Sequence, residues 1–451
     1  MQFELTQEYI DNLKEAVEKG NDGFIVSCLN DLHPADIAEI LNLLNEDDAQ
    51  YIFKLVDADK AGDTLLELDD DAREHLLESL TTKEIAAHLE EMDSDDAADV
   101  VGELSEDKQR EVISQIEDKG QVSDIEHLLE YDEESAGALM ARELIRANMN
   151  WTADQCIVEM RKQAEEVETI YTVYVVDNDD KLVGLLSLKS LLFAGPKTEI
   201  SSLYNRDIKF VEAHTPKEDV ANMMEKYDLV VMPVVDENNR LLGRITIDDV
   251  VDVIKEEAEE DYLMMSGISQ DIESTDRWLV ISRARLPWLI VGMFGGIFAS
   301  LLIGVYEPDL MLHPEMAFFI PLIAAMGGNV GVQSSALVVQ GLANNSLSKD
   351  GIFPKLMKEL GIGFLNGIIC SILIFGYNFF VSDSYGLSFT VSIALFSVIC
   401  FAAVFGTFVP LILNKYKIDP ALATGPFITT MNDIVGLVIY FLIGKMLYIY
   451  F

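Results

Sequence analysis

The sequence predicts a multidomain protein: an α-helical N-terminal domain, an α+β tandem pair of modules, and a five-span α-helical membrane domain. Three observations predict it. Charge is segregated: the chain carries 77 acids and 32 bases, a formal net charge of −45, and 68 of the acids but only 23 of the bases precede Asp276. A 19-residue pattern occurs twice, from Tyr174 and from Pro233. From Asp276 on the chain is neutral and holds five long apolar stretches. The boundaries expected are 1–130 for the helical domain, 131–200 and 201–255 for the two modules, 256–276 for a connecting helix, and 277–451 for the membrane domain.

The first 130 residues read as short helices. "LTTKEIAAHLEEM", "MDSDDAADVVGEL" and "LSEDKQREVISQI" each place a Thr, Ser or Asp before apolar residues at helical spacing, about a dozen residues per unit. A stack of short helices follows. Its acidic field repels nucleic acid, which is not an expected partner, and attracts cations. The four cysteines, Cys28, Cys156, Cys370 and Cys400, show no metal-ligand or disulfide spacing.

The next segment is an internal repeat. "YVVDNDDKLVGLLSLKSLL" and "PVVDENNRLLGRITIDDVV" align at an offset of 59, pairing Asp177 with Asp236, Gly184 with Gly243 and Ser190 with Asp249. Each copy reads strand, Asn/Asp-rich turn, strand, helix. The pattern resembles a tandem pair of cystathionine-β-synthase-type (CBS) modules. That resemblance implies a regulatory pair that dimerises and takes adenine nucleotides or metal ions. The second copy runs into "DDVVDVIKEEAEEDYLMMSGI", a charged helix leading to the first span. A solvated surface helix explains the charge alone; its position before the membrane gives it a means of transmitting movement.

The spans are expected near 286–305, 317–342, 358–381, 388–413 and 421–449, each close to the ~20 residues a bilayer core needs. Basic residues alternate between loops: Arg283 and Arg285 precede the first span, Lys349, Lys355 and Lys358 follow the second, Lys415 and Lys417 follow the fourth, and the other loops have none. By the positive-inside rule the acidic half is cytoplasmic and the C-terminus outside, with Lys445 dissenting. The start "MQFELTQEYI" shows no cleavable signal, so a multi-pass protein of the plasma (inner) membrane, bathed in lipid, is expected.

Within the fifth span stands Asp433, where a carboxylate costs about 2.5–3.5 kcal/mol. Such residues mark ion pathways, and Gly425, Pro426, Thr429, Thr430 and Asn432 loosen the helix or offer oxygen beside it. The second span has a similar interruption, "AAMGGNVGVQSSALVVQG", with Gly327, Gly328, Asn329, Gly331 and Gln333 at mid-depth. Close helix packing explains glycines equally well; Asn329 beside them argues for a pore lining. Hard oxygen ligands select Mg²⁺, Ca²⁺ or Mn²⁺. One carboxylate per chain suits hydrated Mg²⁺ better than a dehydrated Ca²⁺ cage.

With "GGNVGVQSS", "DPALATGPFITT" and "NDIVG" in this order behind an acidic helical domain and a CBS pair, the whole chain resembles the MgtE family of magnesium channels. The resemblance implies a homodimer, a pore formed by the second and fifth spans, and closure by cytoplasmic Mg²⁺. It puts the pore on Asp433, Asn329, Gly328, Thr429 and Asn432, and an entrance acid on Asp419. It puts regulatory metal ligands on Asp249, Asp252, Glu257, Glu260 and Asp261 of the connecting helix, on Glu218 and Asp228 of the CBS pair, and on Asp95, Asp99 and Asp63 of the N-terminal domain. Mg²⁺ is the implied ion, with ATP a second candidate at the CBS pair. Two departures stand out: Pro216 where an acid is expected, and Asn432 where some relatives carry Ser. Two other classes stay open: an ion-coupled secondary transporter of divalent cations, and a membrane-anchored nucleotide sensor, against which Asp433 argues. No nucleophile–base constellation or phosphate-cradling loop appears, so an enzyme is not expected.

Overall fold

The computed structural model describes residues 5–164, 167, 169–268, 272, 278–343, 351–381 and 384–447. Lys349, used above for orientation, lies outside them, as do residues 448–449 of the fifth expected span. The chain forms two compact units, Met1–Lys255 and Glu256–Phe451.

The first unit opens with ten short helices: α1 (Gln7–Glu18), α2 (Asp22–Leu29), α3 (Pro34–Asn42), α4 (Glu46–Phe53), α5 (Ala58–Leu66), α6 (Asp70–Ser79), α7 (Thr82–Leu89), α8 (Ser94–Gly102), α9 (Glu106–Ile113) and α10 (Lys119–Leu128). Their starts carry the cap residues the sequence promised. Thr81 and Glu84 close a reciprocal capping box on α7, and Asn45 caps α4 by accepting from the Asp48 N–H at 3.0 Å. Alternate helices stack, α3 on α5, α5 on α7, α7 on α9 and α4 on α6, so the structural repeat is a helix pair rather than the single helix of the sequence period. The row buries Leu13, Ile25, Ile37, Ile52, Leu65, Ile85 and Val112 in one continuous core.

The repeat at 59 residues becomes two sheets of one topology. β1 (Arg146–Asn148) pairs parallel with β2 (Val173–Val176), which pairs antiparallel with β3 (Leu182–Leu186); α11 (Ala153–Gln163) joins β1 to β2, and α12 (Leu188–Leu192) follows. In the second copy β4 (Val211–Glu212), α13 (Lys217–Tyr227), β5 (Val231–Val235) and β6 (Leu241–Thr246) repeat the pattern. Even the irregularities repeat: the register slips between Val175 and Val176 and again between Val234 and Val235. The reason is the turn. Asp177 accepts from the Asp179 and Lys181 N–H groups, Asp236 from those of Asn238 and Arg240, and Asp180 and Asn239 take up positive φ. α14 (Ile247–Met265) starts directly on β6 and carries all five expected connecting-helix acids.

The second unit holds α15 (Trp278–Val305), α16 (Glu307–Leu312), α17 (Ile320–Ala343), α18 (Ile352–Val381), α19 (Tyr385–Lys415) and α20 (Gly425–Leu447). Five of its helices, the first and third reaching further towards their N-termini than the expected spans, are long and apolar enough to cross a membrane. α19 is the centre, packed on α17, α18 and α20, while α15 and α18 lie largely exposed at the periphery. The fifth helix begins at Gly425 rather than 421, because Ala421–Ala423 form a separate 3₁₀ turn.

Candidate functional site

Two groups of the expected residues come together, one in each unit. In the first, the start of α8 gathers acids. Carboxylate oxygens of Asp93, Asp95 and Glu143 lie within 4.8 Å of one another. Asp95 is 8% exposed. The Ser94 hydroxyl donates to Glu143 at 2.9 Å and accepts the Arg142 N–H at 3.0 Å, tying α8 to the strand-leading segment of the module pair. Burial, followed by the neighbouring charges of Asp96, Asp249 and Asp93, raises the Asp95 carboxyl well above its ordinary range. Asp96 is pushed up to about 7, by burial first and then by Asp249, Asp93, Asp99 and Asp63. Asp249 is raised by burial as well, held back because it accepts from the Thr246 N–H at 3.0 Å and hydroxyl at 2.6 Å. Asp63 and Asp99 are exposed on α5 and α8 at the edge of this group. One cation is built in: Arg244, buried on β6, donates to Asp93 at 3.2 Å and to the Thr169 carbonyl at 3.0 Å.

The structure does not bring all expected ligands together. Glu218 and Asp228 stand exposed at opposite ends of α13, about 15 Å apart along an 11-residue helix. Pro216 is the N-cap of that helix and offers no side-chain oxygen. Asp252 and Glu260 are exposed on α14, with Glu257 and Asp261 half-buried; Glu257, Glu260 and Asp261 share a face by their i, i+3, i+4 spacing. In the second unit Asp419 is exposed and accepts the Ala421 N–H at 2.8 Å, capping the 3₁₀ turn.

The membrane site is an intersection of helices. Gly406 of α19 meets Gly331 of α17 backbone to backbone, and a Cβ at Gly406 would overlap the Gly331 carbonyl. Gly331 also takes the Asn432 side chain against its Cα. One turn earlier on α17, Gly328 faces Thr429 and Asp433: a Cβ there would stand 3.4 Å from Asp433 Oδ1. Asp433 is half-buried and has no ion-pair partner among the described residues. Thr429 donates its hydroxyl to the Gly425 carbonyl at 2.9 Å. Asn432 is turned the other way, 1% exposed in the α17–α20 contact, with neither amide atom hydrogen-bonded among the described residues. Asn329 is exposed on α17. The start of α20 is tight: Gly425 has φ +50°, and a Cβ there would stand 2.5 Å from the Met265 carbonyl at the end of α14.

Sequence reasoning missed Asp93, Asp96, Glu143 and Arg244. Asp93 and Asp96 sit in the acid-rich "MDSDD" start of a helix, a visible signal. Glu143 and Arg244 are 50 and 151 residues from Asp93, and only the fold joins them.

The family described as a divalent cation transporter (MgtE) matches residues 320–443 of this chain. The MgtE intracellular N domain matches 32–134, and the CBS domain matches 136–197 and 200–256. The chain is 35% identical over 317 residues to the magnesium transporter MgtE of Bacillus subtilis, covering 70% of each protein. It is 33% identical over 328 residues to that of Thermus thermophilus, covering 72% of each. Its fold is similar to the crystal structure of the cytosolic domain of the Mg²⁺ channel MgtE in complex with ATP, with TM-score 0.51 and 32% identity over 54% of this chain and 99% of that one.

Proposed function

Because this chain belongs to the MgtE family of magnesium transporters, we propose that it is a homodimeric, Mg²⁺-selective channel of the plasma (inner) membrane, closed by Mg²⁺ on its cytoplasmic side. Asp433 carries this reading. It stands in a helix apolar enough to cross a membrane, beside a glycine, without a basic partner among the described residues. A lone carboxylate so placed attracts a cation into a low-dielectric path, and Mg²⁺, which keeps several waters, needs no more than one or two such groups. Asn329, Gly328 and Thr429 would line the path, Asn432 would hold α20 against α17, and Asp419 would stand at the cytoplasmic entrance. Influx down the membrane potential gains about 2.3 kcal/mol per charge per 100 mV, doubled for a divalent ion. The N-terminus would be cytoplasmic and the C-terminus outside.

Gating follows from the acids. Without Mg²⁺, Asp95, Asp96, Asp99, Asp63 and Asp249 repel one another, and so do Asp252, Glu257, Glu260 and Asp261 along α14. Mg²⁺ bridging of these acids, and of Glu218 and Asp228 across the dimer, would draw the cytoplasmic domains together and set α14 against the pore mouth. Several weak sites acting on one two-state element give a steep response. ATP is the candidate second ligand of the CBS pair, in line with the ATP complex of the similar cytosolic domain.

The test is current recording from the purified full chain while cytoplasmic Mg²⁺ is stepped through the millimolar range. The parent should close, and a variant neutralised at Asp249, Asp252, Glu257, Glu260 and Asp261 should show a flattened response. Flux that instead requires a proton or sodium gradient, without single-channel openings, would replace the channel by a coupled transporter.

A further inference from the structure

Beyond Asn329, α17 carries two amides that the site described above leaves unused, Gln333 and Gln340. Asn329, Gln333 and Gln340 are all exposed in the protomer. At about 100° per residue they fall within about 40° of one another around the helix. They extend over about 16 Å of its length, roughly half the thickness of a bilayer core. None of the three side chains is hydrogen-bonded within the protomer among the described residues. Ala336 lies on the same face, and the opposite face, with Gly331 and Ser335, is buried against α19 and α20.

An amide facing hydrocarbon without a partner costs about 2–7 kcal/mol, so three in register do not face lipid. The stripe starts at Asn329, about 100° round the helix from Gly328, the buried residue that faces Asp433, and runs from there toward Ala343, the end of α17 that the proposed orientation puts in the cytoplasm. Neutral amides both donate to and accept from water. They can exchange hydrogen bonds with the hydration shell of a divalent ion without replacing it, whereas a second carboxylate would hold the ion back. We propose that Gln333 and Gln340 line the cytoplasmic half of the permeation path as an amide ladder that contacts hydrated Mg²⁺ through its waters, continuing the polar lining from Asn329 and Asp433. This rests on the channel reading above.

The test is thiol accessibility in the full-length protein with its four native cysteines replaced. Gln333→Cys and Gln340→Cys are treated from the cytoplasmic side with a cationic, membrane-impermeant methanethiosulfonate while Mg²⁺ current is recorded. Ile372→Cys, exposed on α18, serves as the lipid-facing control. Both ladder thiols should react, and the added charge should reduce the current several-fold, with the control silent. Gln340→Asn should conduct better than Gln340→Leu, since the shorter amide keeps the chemistry. Thiols that do not react in a conducting channel, react without changing the current, or cross-link two protomers as a dry contact would overturn the ladder. Failure of the channel reading shows separately, as Mg²⁺ flux unchanged in Asp433→Ala.

Discussion

The acids at the start of α8 and the carboxylate on α20 are both withdrawn from bulk water, yet their surroundings are opposite. The first group is crowded: Asp93, Asp95, Asp96, Asp249 and Glu143 converge from the helical domain and the module pair, and Arg244 already neutralises part of their charge. The second stands alone, set between a glycine and a threonine, with no ion-pair partner among the described residues. A sensor works by being conditional. Its acids must repel when no ion is present and must be numerous enough for each ion to matter. A permeation site must instead be constant, and weak enough for the ion to leave. On the function proposed above, the chain would use carboxylates for both tasks and separate them by number and neighbours.

The comparison breaks most completely at the pore. Asp433→Ala should abolish Mg²⁺ uptake while leaving the protein folded, because Asp433 is the carboxylate that stands against Gly328. Uptake of Mg²⁺ into proteoliposomes, with a size-exclusion profile as the folding check, measures it. Asp95→Asn, removing one acid of many, should leave conduction intact and alter only its Mg²⁺ dependence. If the two variants lose transport equally, the division between crowded sensor and solitary filter is wrong.

Next in size is the scaffold that keeps Asp433 in place. Gly406→Leu would drive a side chain into the Gly331 carbonyl and force α17 away from α19. Overpacking at such contacts costs roughly 1–3 kcal/mol or more. A thermal midpoint lowered by several degrees, with transport impaired, is expected; the same substitution at Gly296, which has open space around it, should change little.

How much of this was legible follows from where the information lies. The module repeat was readable down to its turns because Asp177 and Asp236 act on their own neighbours two and four residues on. The membrane helices were readable because length and hydropathy are local, although their ends were not: Arg283 and Arg285 extend α15 beyond the apolar stretch, and Thr424 and Asp419 set a 3₁₀ turn before α20. The helical stack was readable in its caps but not in its repeat unit, since stacking of alternate helices is a tertiary choice. Asp433 announced itself by being a charge in an apolar run. Arg244 could not, since an Arg in the second copy of a strand gives no hint that its partner is Asp93.

A smaller effect concerns that arginine. Arg244→Gln leaves Asp93 without its cation and should loosen the contact between the helical domain and the module pair when Mg²⁺ is absent. Losing one member of a buried charged hydrogen bond costs about 1.5–3 kcal/mol. Protease sensitivity of the cytoplasmic part at low Mg²⁺ should rise about tenfold or more, and saturating Mg²⁺ should restore protection, because the ion supplies the charge the arginine gave. Unchanged protection at low Mg²⁺ would mean the Arg244–Asp93 pair contributes nothing to docking.

The smallest expected effect is that of pH, and it tests whether repulsion is what opens the sensor. Asp95, Asp96 and Asp249 have raised carboxyl pKa values in the packed form, Asp96 reaching about 7 from an ordinary 3.8. Between those limits the packed form therefore binds more protons than a form in which the domains have separated. Its stability is highest below the ordinary carboxylate range and declines as pH rises through the raised carboxyls, Asp96 giving up its proton near about 7. In chelator, the thermal midpoint of the cytoplasmic part of the full chain should thus be higher at about pH 6 than at about pH 8. Mg²⁺ should flatten this slope, because a bound ion does at high pH what protons do at low pH. Neutralising Asp95, Asp96 and Asp249 together as Asn should remove the slope without Mg²⁺. A slope that survives in that variant would assign the pH dependence to groups outside the cluster and leave mutual repulsion without support as the opening force.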